Sequence, residues 1–257
     1  MSATQTKAKS KRGRVRVEVG AKRVRAFLGA EPVADTTHPI LVWEGPSYPA
    51  YYFPVADVRT ELLHADDDVV HSPSRGDART FTVKAGDKEV HGAALRFQDS
   101  PIEELRDAIR LQWDAMDAWF EEDEEVFTHP RDPYTRVDIM PSSRHVRVEV
   151  DGVTVAESTS PRLLFETGLP TRYYLPKTHV RMDLLVPTDS ASHCPYKGQA
   201  DWWSVRPGEE THEDLAWSYP TPLPESQKIA GLVAFYDEKV DVYVDGVLQE
   251  RPRTKFS

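Results

Sequence analysis

The chain repeats itself. Slid by 122 residues, VADTTHPILVWE (33–44) falls on VAESTSPRLLFE (155–166), and YYFPVADVRTELL (51–63) falls on YYLPKTHVRMDLL (173–185). HSPSRGDARTFTVKAG (71–86) falls on HCPYKGQADWWSVRPG (193–208). No gap is needed from Val24/Val146 to Ala94/Ala216, and more than twenty positions in that span are identical. A repeat of this length binds the fold tightly, because any element assigned to one copy must be possible in the other. MDAWFEED (116–123) rejoins VDVYVDGV (240–247) once the second copy is given two extra residues in the preceding turn. FTHPRDPY (127–134), rich in Pro and Asp, separates the copies. The expected organisation is a disordered basic tail at 1–13, a first repeat at 14–130 and a second at 131–257. Each repeat opens with the same short element, RVRVE (14–18) or RVDIM (136–140).

The second copy shows its local structure more openly. HVRVEVDGVTVAES (145–158) alternates Val146, Val148 and Val150 with Arg147 and Glu149, then turns at Asp151-Gly152. Period-2 alternation marks a half-buried strand, and Asp-Gly tolerates the positive φ of a tight hairpin. KVDVYVDGVLQE (239–250) repeats the device with Val240, Val242 and Val244 inward, and GLVAFY (231–236) reads as a buried strand. One segment of the first copy disagrees. SPIEELRDAIRLQWDAMDAWF (100–120) opens like a capped helix, with Ser100 three residues before Glu103. Its counterpart, TPLPESQKIAGLVAFY, has too many breakers for a long helix. The repeat outranks the propensity, so a turn of helix near 101–106 and strands near 108–113 and 116–121 are expected. The fold class is therefore mainly β: two tandem domains of short antiparallel strands and hairpins.

Composition narrows the function classes. With 42 acidic against 32 basic residues the net charge is −10, which favours solubility and repels nucleic-acid phosphates. No run approaches the roughly 18 apolar residues of a membrane span. The first residues hold no apolar stretch, so no secretory leader and a cytoplasmic location are expected. The single cysteine, Cys194, forbids an intrachain disulfide and a multi-thiolate zinc site. Nine histidines show no HxH or HxxxH spacing, so neither a metal nor a cofactor is expected. There is no GxSxG elbow, Walker loop or GxGxxG. DDD (66–68) and EEDEE (121–125) read as solvated loop faces.

The two copies can be compared as two versions of one design. Glu44/Glu166, Tyr51-Tyr52/Tyr173-Tyr174, Arg59/Arg181, His71/His193, Pro73/Pro195 and Gly76/Gly198 are retained. Pro and Gly beside a His read as a fixed bend, and the retained Glu and Arg as a buried ion pair. The differences point elsewhere. The second copy has Cys194, Tyr196, Lys197, Trp202, Trp203, Trp217 and Tyr219 where the first has Ser72, Ser74, Arg75, Thr80, Phe81, Leu95 and Phe97. Aromatics with polar tips suit a concave site. Adjacent strand residues face opposite ways, so one of Trp202 and Trp203 faces it, and Phe81 in the first copy favours Trp203. The expected ligand contacts are Arg172, Tyr173, Tyr174, Tyr196, Trp203 and Trp217. The nucleophile candidate is Cys194, with His193 as base and Lys197 lowering the thiol pKa. The plainer reading makes Cys194 a small buried hydrophobe and Lys197 a solvated surface lysine.

LLFETGLPTRYYLPKTHVRMDLL, HCPYKGQADWWSV, AWSYPTPLPE and GLVAFYDEKVDVYVDG resemble the bacterial family known as domain of unknown function 427. The second copy follows its pattern almost throughout, and the first diverges, lacking the Cys-Pro-Tyr-Lys core. The resemblance implies a β-tent-like domain, two small antiparallel sheets set at an angle with a ligand cleft between them. Zinc-holding relatives of that fold use paired CxxC motifs, which are absent here. The label nucleotidyltransferase-like, also attached to the family, needs a Gly-Gly or Gly-Ser step ahead of paired acids. Asp241 and Asp245 follow no such step. Three functions stay open: a small-molecule-binding module with its cleft in the second repeat, a non-catalytic adaptor, and an enzyme using Cys194.

Overall fold

The computed structural model describes residues 15–254 and 257, so the tail expected at 1–13 lies outside the described residues. The chain divides into two compact units, one ending at Pro130 and the next beginning at Arg131. The first unit holds β1 (Arg16–Val19), β2 (Val24–Leu28), β3 (Glu31–Thr36), β4 (Ile40–Trp43), β5 (Ala50–Pro54), β6 (Leu63–Ser72), β7 (Gly76–Ala85), β8 (Lys88–Arg96), β9 (Ala108–Leu111), β10 (Ala118–Glu121) and β11 (Glu124–Glu125). The second holds β12 (Val137–Pro141), β13 (Val146–Val150), β14 (Val153–Ser158), β15 (Arg162–Glu166), β16 (Arg172–Tyr174), β17 (Leu185–Cys194), β18 (Gly198–Val205), β19 (His212–Ser218), β20 (Val233–Phe235), β21 (Asp241–Val244) and β22 (Val247–Leu248).

Both units use one topology. In the first, a seven-stranded sheet runs β1-β4-β5-β9-β8-β7-β6 and a four-stranded sheet runs β11-β10-β2-β3. In the second, β12-β15-β16 and β17-β18-β19-β20 are separate ladders, and β22-β21-β13-β14 forms the four-stranded sheet. Leu175 and Val233 join the two ladders by a pair of backbone hydrogen bonds of 2.8 and 2.9 Å, where the first unit pairs β5 with β9. The seven-strand order therefore recurs.

The expected hairpins are present. Asp151 and Gly152 take φ 52° and 75°, and Asp245 and Gly246 take 53° and 80°, the left-handed pair that matches strand twist. Val146, Val148, Val150, Val242 and Val244 are all buried on one face of the four-stranded sheet. There they meet Trp203, Val205, Ala216 and Phe235 of the larger sheet. Each such valine gains about 1.5–3 kcal/mol over exposure. The helix-like segment of the first copy gives single 3-10 turns, Glu103–Leu105 and Trp113–Ala115, around strands β9 and β10. Ser100 caps only a turn, accepting a hydrogen bond from the Ile102 amide at 3.1 Å. Strand β9 runs between β5 and β8 and buries Ala108, Ile109 and Leu111, a demand of tertiary packing that overrides helix propensity.

Two acidic runs depart from the loop expectation. Asp66, Asp67 and Asp68 lie within edge strand β6, where the register slips between Ala65 and Val69. Glu121 is buried at the end of β10, accepting hydrogen bonds from the Tyr51 hydroxyl and from Lys22 Nζ at 2.6 Å, and Glu122–Asp123 turn the chain into β11. A close backbone approach marks the first unit alone: a Cβ on Gly29, which has φ 58°, would lie 2.3 Å from the Ala85 carbonyl oxygen. At Gly208, the counterpart of Gly86 beside it, nothing lies within 4 Å. No helix among the described residues is long and apolar enough to cross a membrane.

Candidate functional site

In the second unit the seven-strand arrangement has two unlike faces. One packs on the four-stranded sheet. On the other, Ile139 of β12 and Leu164 of β15 share one buried cluster with Ala200 of β18, Trp217 of β19 and Ala234 of β20. Residues of strands toward both ends of the order thus share this face. The β17–β18 turn closes it, because Lys197 Nζ reaches Glu166 Oε2 at the end of β15, 2.5 Å away. Both side chains are about nine-tenths buried. The 3-10 helix Pro224–Ile229 covers the same end: Ser226 Oγ donates to the Tyr196 carbonyl at 3.0 Å, and Lys228 Nζ donates to the Ile139 carbonyl at 3.1 Å.

From Lys197 a set of polar and aromatic groups runs along this face. Trp217 Nε1 donates to the buried Tyr174 hydroxyl at 3.1 Å. Trp217, Trp202 and Tyr236 then pack as a shelf, with ring centroids 4.9–5.5 Å apart. Trp202 and Tyr236 are half-buried, so the shelf opens to solvent. Trp202 is oriented by its Nε1 bond to Ser192 Oγ at 3.1 Å. At the far side the Arg172 guanidinium sits 5.8 Å over the Trp217 ring. Its two Nη atoms donate to the two carboxylate oxygens of Glu238 at 2.7 and 2.6 Å, and Asp237 lies 3.6 Å away.

Burial and these partners set the protonation states. Burial pushes the Tyr174 hydroxyl up to about 12. Burial by itself disfavours the Lys197 ammonium, but its neighbours, the Cys194 sulfur and the Glu166 carboxylate, outweigh it and its pKa is raised. Glu238 keeps its proton off despite burial because the Arg172 hydrogen bonds hold it below the usual range. Arg172 is thereby neutralised, and burial pushes its second neighbour, Asp237, up to about 7 against the pull of the guanidinium.

The structure gathers part of the expected set. Arg172, Tyr174, Lys197, Trp217 and the half-buried Cys194 lie on this face. Tyr173 and Trp203 belong to the opposite face, in the core between the sheets, where Lys177 lies 5.1 Å over Trp203. Trp202, not Trp203, therefore faces Trp217. Tyr196 is held away at the hairpin tip, its hydroxyl accepting from the Asp132 amide at 2.7 Å. His193 is exposed and precedes Cys194 on strand β17, so the two side chains leave opposite faces of the strand. Lys197 is no surface lysine. Nor does the retained arginine pair with the retained glutamate: Arg59 bonds Glu61 and Glu31, and Arg181 bonds Asp183, all at the surface. Sequence comparison missed Trp202, Tyr236, Asp237 and Glu238. The signal for Trp202 was its partner in the first copy, Thr80, which is buried.

The first unit builds a related cluster. Glu44 accepts from the Tyr52 hydroxyl at 2.7 Å and from Arg75 Nη1, the counterparts of Tyr174 and Lys197. Arg110 Nε lies 2.9 Å from the same carboxylate. At the surface of the second unit, Asp151, Glu210 and His212 bring possible metal-ligand atoms within 4.8 Å of one another, with His212 Nε2 2.6 Å from Asp151. The two carboxylates are exposed.

The model of the DUF427 family, described as a domain of unknown function, matches residues 16–122 and again residues 138–246. The chain belongs to this family. The two matches are its two repeats in tandem. No curated protein matches the chain.

Proposed function

We propose that the second repeat of this DUF427 protein is a small-molecule-binding module whose site is the aromatic shelf of Trp202, Trp217 and Tyr236. The observation that carries this reading is the half-open shelf itself, three rings within 5.5 Å of one another beside a buried Arg172. Flat amphipathic rings with one wet edge offer apolar contact and a few directed hydrogen bonds, the usual make-up of a ligand site. Both cations here are neutralised, Lys197 by Glu166 and Arg172 by Glu238. The shelf therefore suits a planar ligand without a strong net charge. Catalysis by Cys194 gains no support from His193, which faces away.

Cys194, the chain's one thiol, sits half-buried in the same cluster and serves as a reporter. Indole, p-cresol and nicotinamide are the probes. At least one is expected to slow alkylation of Cys194 by iodoacetamide in a saturable way, and Trp202→Ala is expected to abolish that protection. If none of the three protects, or protection is unchanged in Trp202→Ala, the reading fails.

A further inference from the structure

The first repeat holds an open cavity of about 560 Å³, bordered by Arg110, Gln112, Trp113, Tyr48, His91 and His129. That volume lies within the roughly 300–1,000 Å³ of small-molecule sites. Its aromatic wall is organised: the Tyr48 and His129 rings stack at 3.9 Å and 6°, and Trp113 stacks on Trp119 at 4.7 Å and 7°.

Its charge differs from that of the second repeat. Glu44 is the one carboxylate beside two guanidiniums, those of Arg75 and Arg110. Tyr52 also donates to that carboxylate. Arg110 Nε is buried and, although 2.9 Å from Glu44, makes no directed hydrogen bond. Arg110, which lines the cavity, thus shares its acidic partner with Arg75, which does not line it. Asp114 also borders the cavity, but it is exposed to water. Strand pairing places Ala234 where the first repeat has Arg110, since Trp217 faces Ala234 as Leu95 faces Arg110. The second repeat therefore has no such arginine.

We infer that the first repeat binds a small aromatic carboxylate, its anion on Arg110 and its ring against Trp113 or the Tyr48–His129 stack. A planar guanidinium suits a planar carboxylate, and the pairing is strongest where water is partly excluded.

The test is calorimetric titration of the full chain with 2-naphthoate and its neutral isostere 2-naphthamide. Naphthoate is expected to bind saturably and more tightly than naphthamide. Arg110→Gln should weaken naphthoate about 10-fold to 100-fold, the value of one hydrogen bond to a charged group, and leave naphthamide unchanged. Arg110→Lys keeps the charge and should retain part of the preference, which settles the matter if the glutamine variant does not fold. Trp202→Ala, in the other repeat, should leave naphthoate binding untouched. Three results would overturn the inference: equal binding of the two probes to Trp202→Ala, no saturable binding at millimolar naphthoate, or naphthoate binding that survives Arg110→Gln and falls with Trp202→Ala.

Discussion

Glu44 and Glu166 occupy the same place in two copies of one topology, and they keep different company. Glu166 has a single buried lysine; Glu44 has two half-open arginines and a tyrosine. The framework around them is shared, including the tyrosine that follows on the next strand, Tyr52 or Tyr174, and the glycine-closed hairpin that carries the cation. Duplication has preserved the scaffold and the acid while changing how many positive charges the acid must satisfy. In the second repeat the cluster is a closed, neutral clasp. In the first, one acid is shared by two arginines.

The largest effect should come from breaking the clasp. Lys197→Ala leaves Glu166 buried without a partner, and about 3–5 kcal/mol of stability should be lost from the second repeat. Arg75→Ala should cost less, about 1–2 kcal/mol, because Glu44 is more exposed and keeps Arg110 nearby. Urea unfolding of both variants checks the ranking, and equal losses would erase the contrast. Next is the shelf. Trp217→Leu makes the second repeat resemble the first at Leu95 and removes the bond to Tyr174, for a cost of about 2–3 kcal/mol in the same assay.

A pH effect should follow from Asp237, which has no counterpart carboxylate in the first repeat, where Trp113 takes its place. Its folded value, about 7, is raised above the ordinary 3.8, so the native protein holds a proton that the unfolded chain releases. Unfolding free energy from this group therefore falls as pH rises from about 4 to about 7 and levels off above that. Asp237→Asn should remove the slope and raise stability at pH 8 by on the order of 2 kcal/mol. Urea midpoints at pH 5 and pH 8 measure it, and a parallel shift at both pH values would contradict the assignment. The smallest effect separates the repeats at their turns. Gly29→Ala must displace the Ala85 carbonyl and should cost about 1–2 kcal/mol, whereas Gly208→Ala meets nothing and should stay within about 0.5 kcal/mol of wild type. Thermal unfolding midpoints distinguish the two.

The fold was legible because it rests on local signals that the repeat allowed to be read twice. Asp151-Gly152 and Asp245-Gly246 state their turns outright, and the second copy's prolines forbade the helix that Ser100–Phe120 suggests in isolation. The site was only half legible. Tyr174, Lys197 and Trp217 stood out by comparison, but face assignment failed at Trp202 and Trp203. Phe81 points to Trp203 as the pocket residue, whereas an apolar residue there serves the core between the sheets. The pairing of Glu166 depends on how far the sheet curls. No spacing along the chain reports that, so the retained Arg181 drew attention from Lys197. Asp237 and Glu238 were invisible for a related reason: they follow the two-residue insertion, and only strand pairing shows that Asp237 falls on Trp113 of the first copy.

Edge strands β6 and β17 slip register at equivalent points, between Ala65 and Val69 and between Pro187 and Ala191. One break carries Asp66, Asp67 and Asp68, and the other begins at Pro187 and includes Asp189. A chain with two domains of one topology faces a special hazard during synthesis, since a strand of one copy has the length and sheet position of its counterpart in the other. Charge, proline and irregular spacing on an outer strand stop it from templating a further strand. Each repeat thus carries at its border the residues that keep its twin from being built into it.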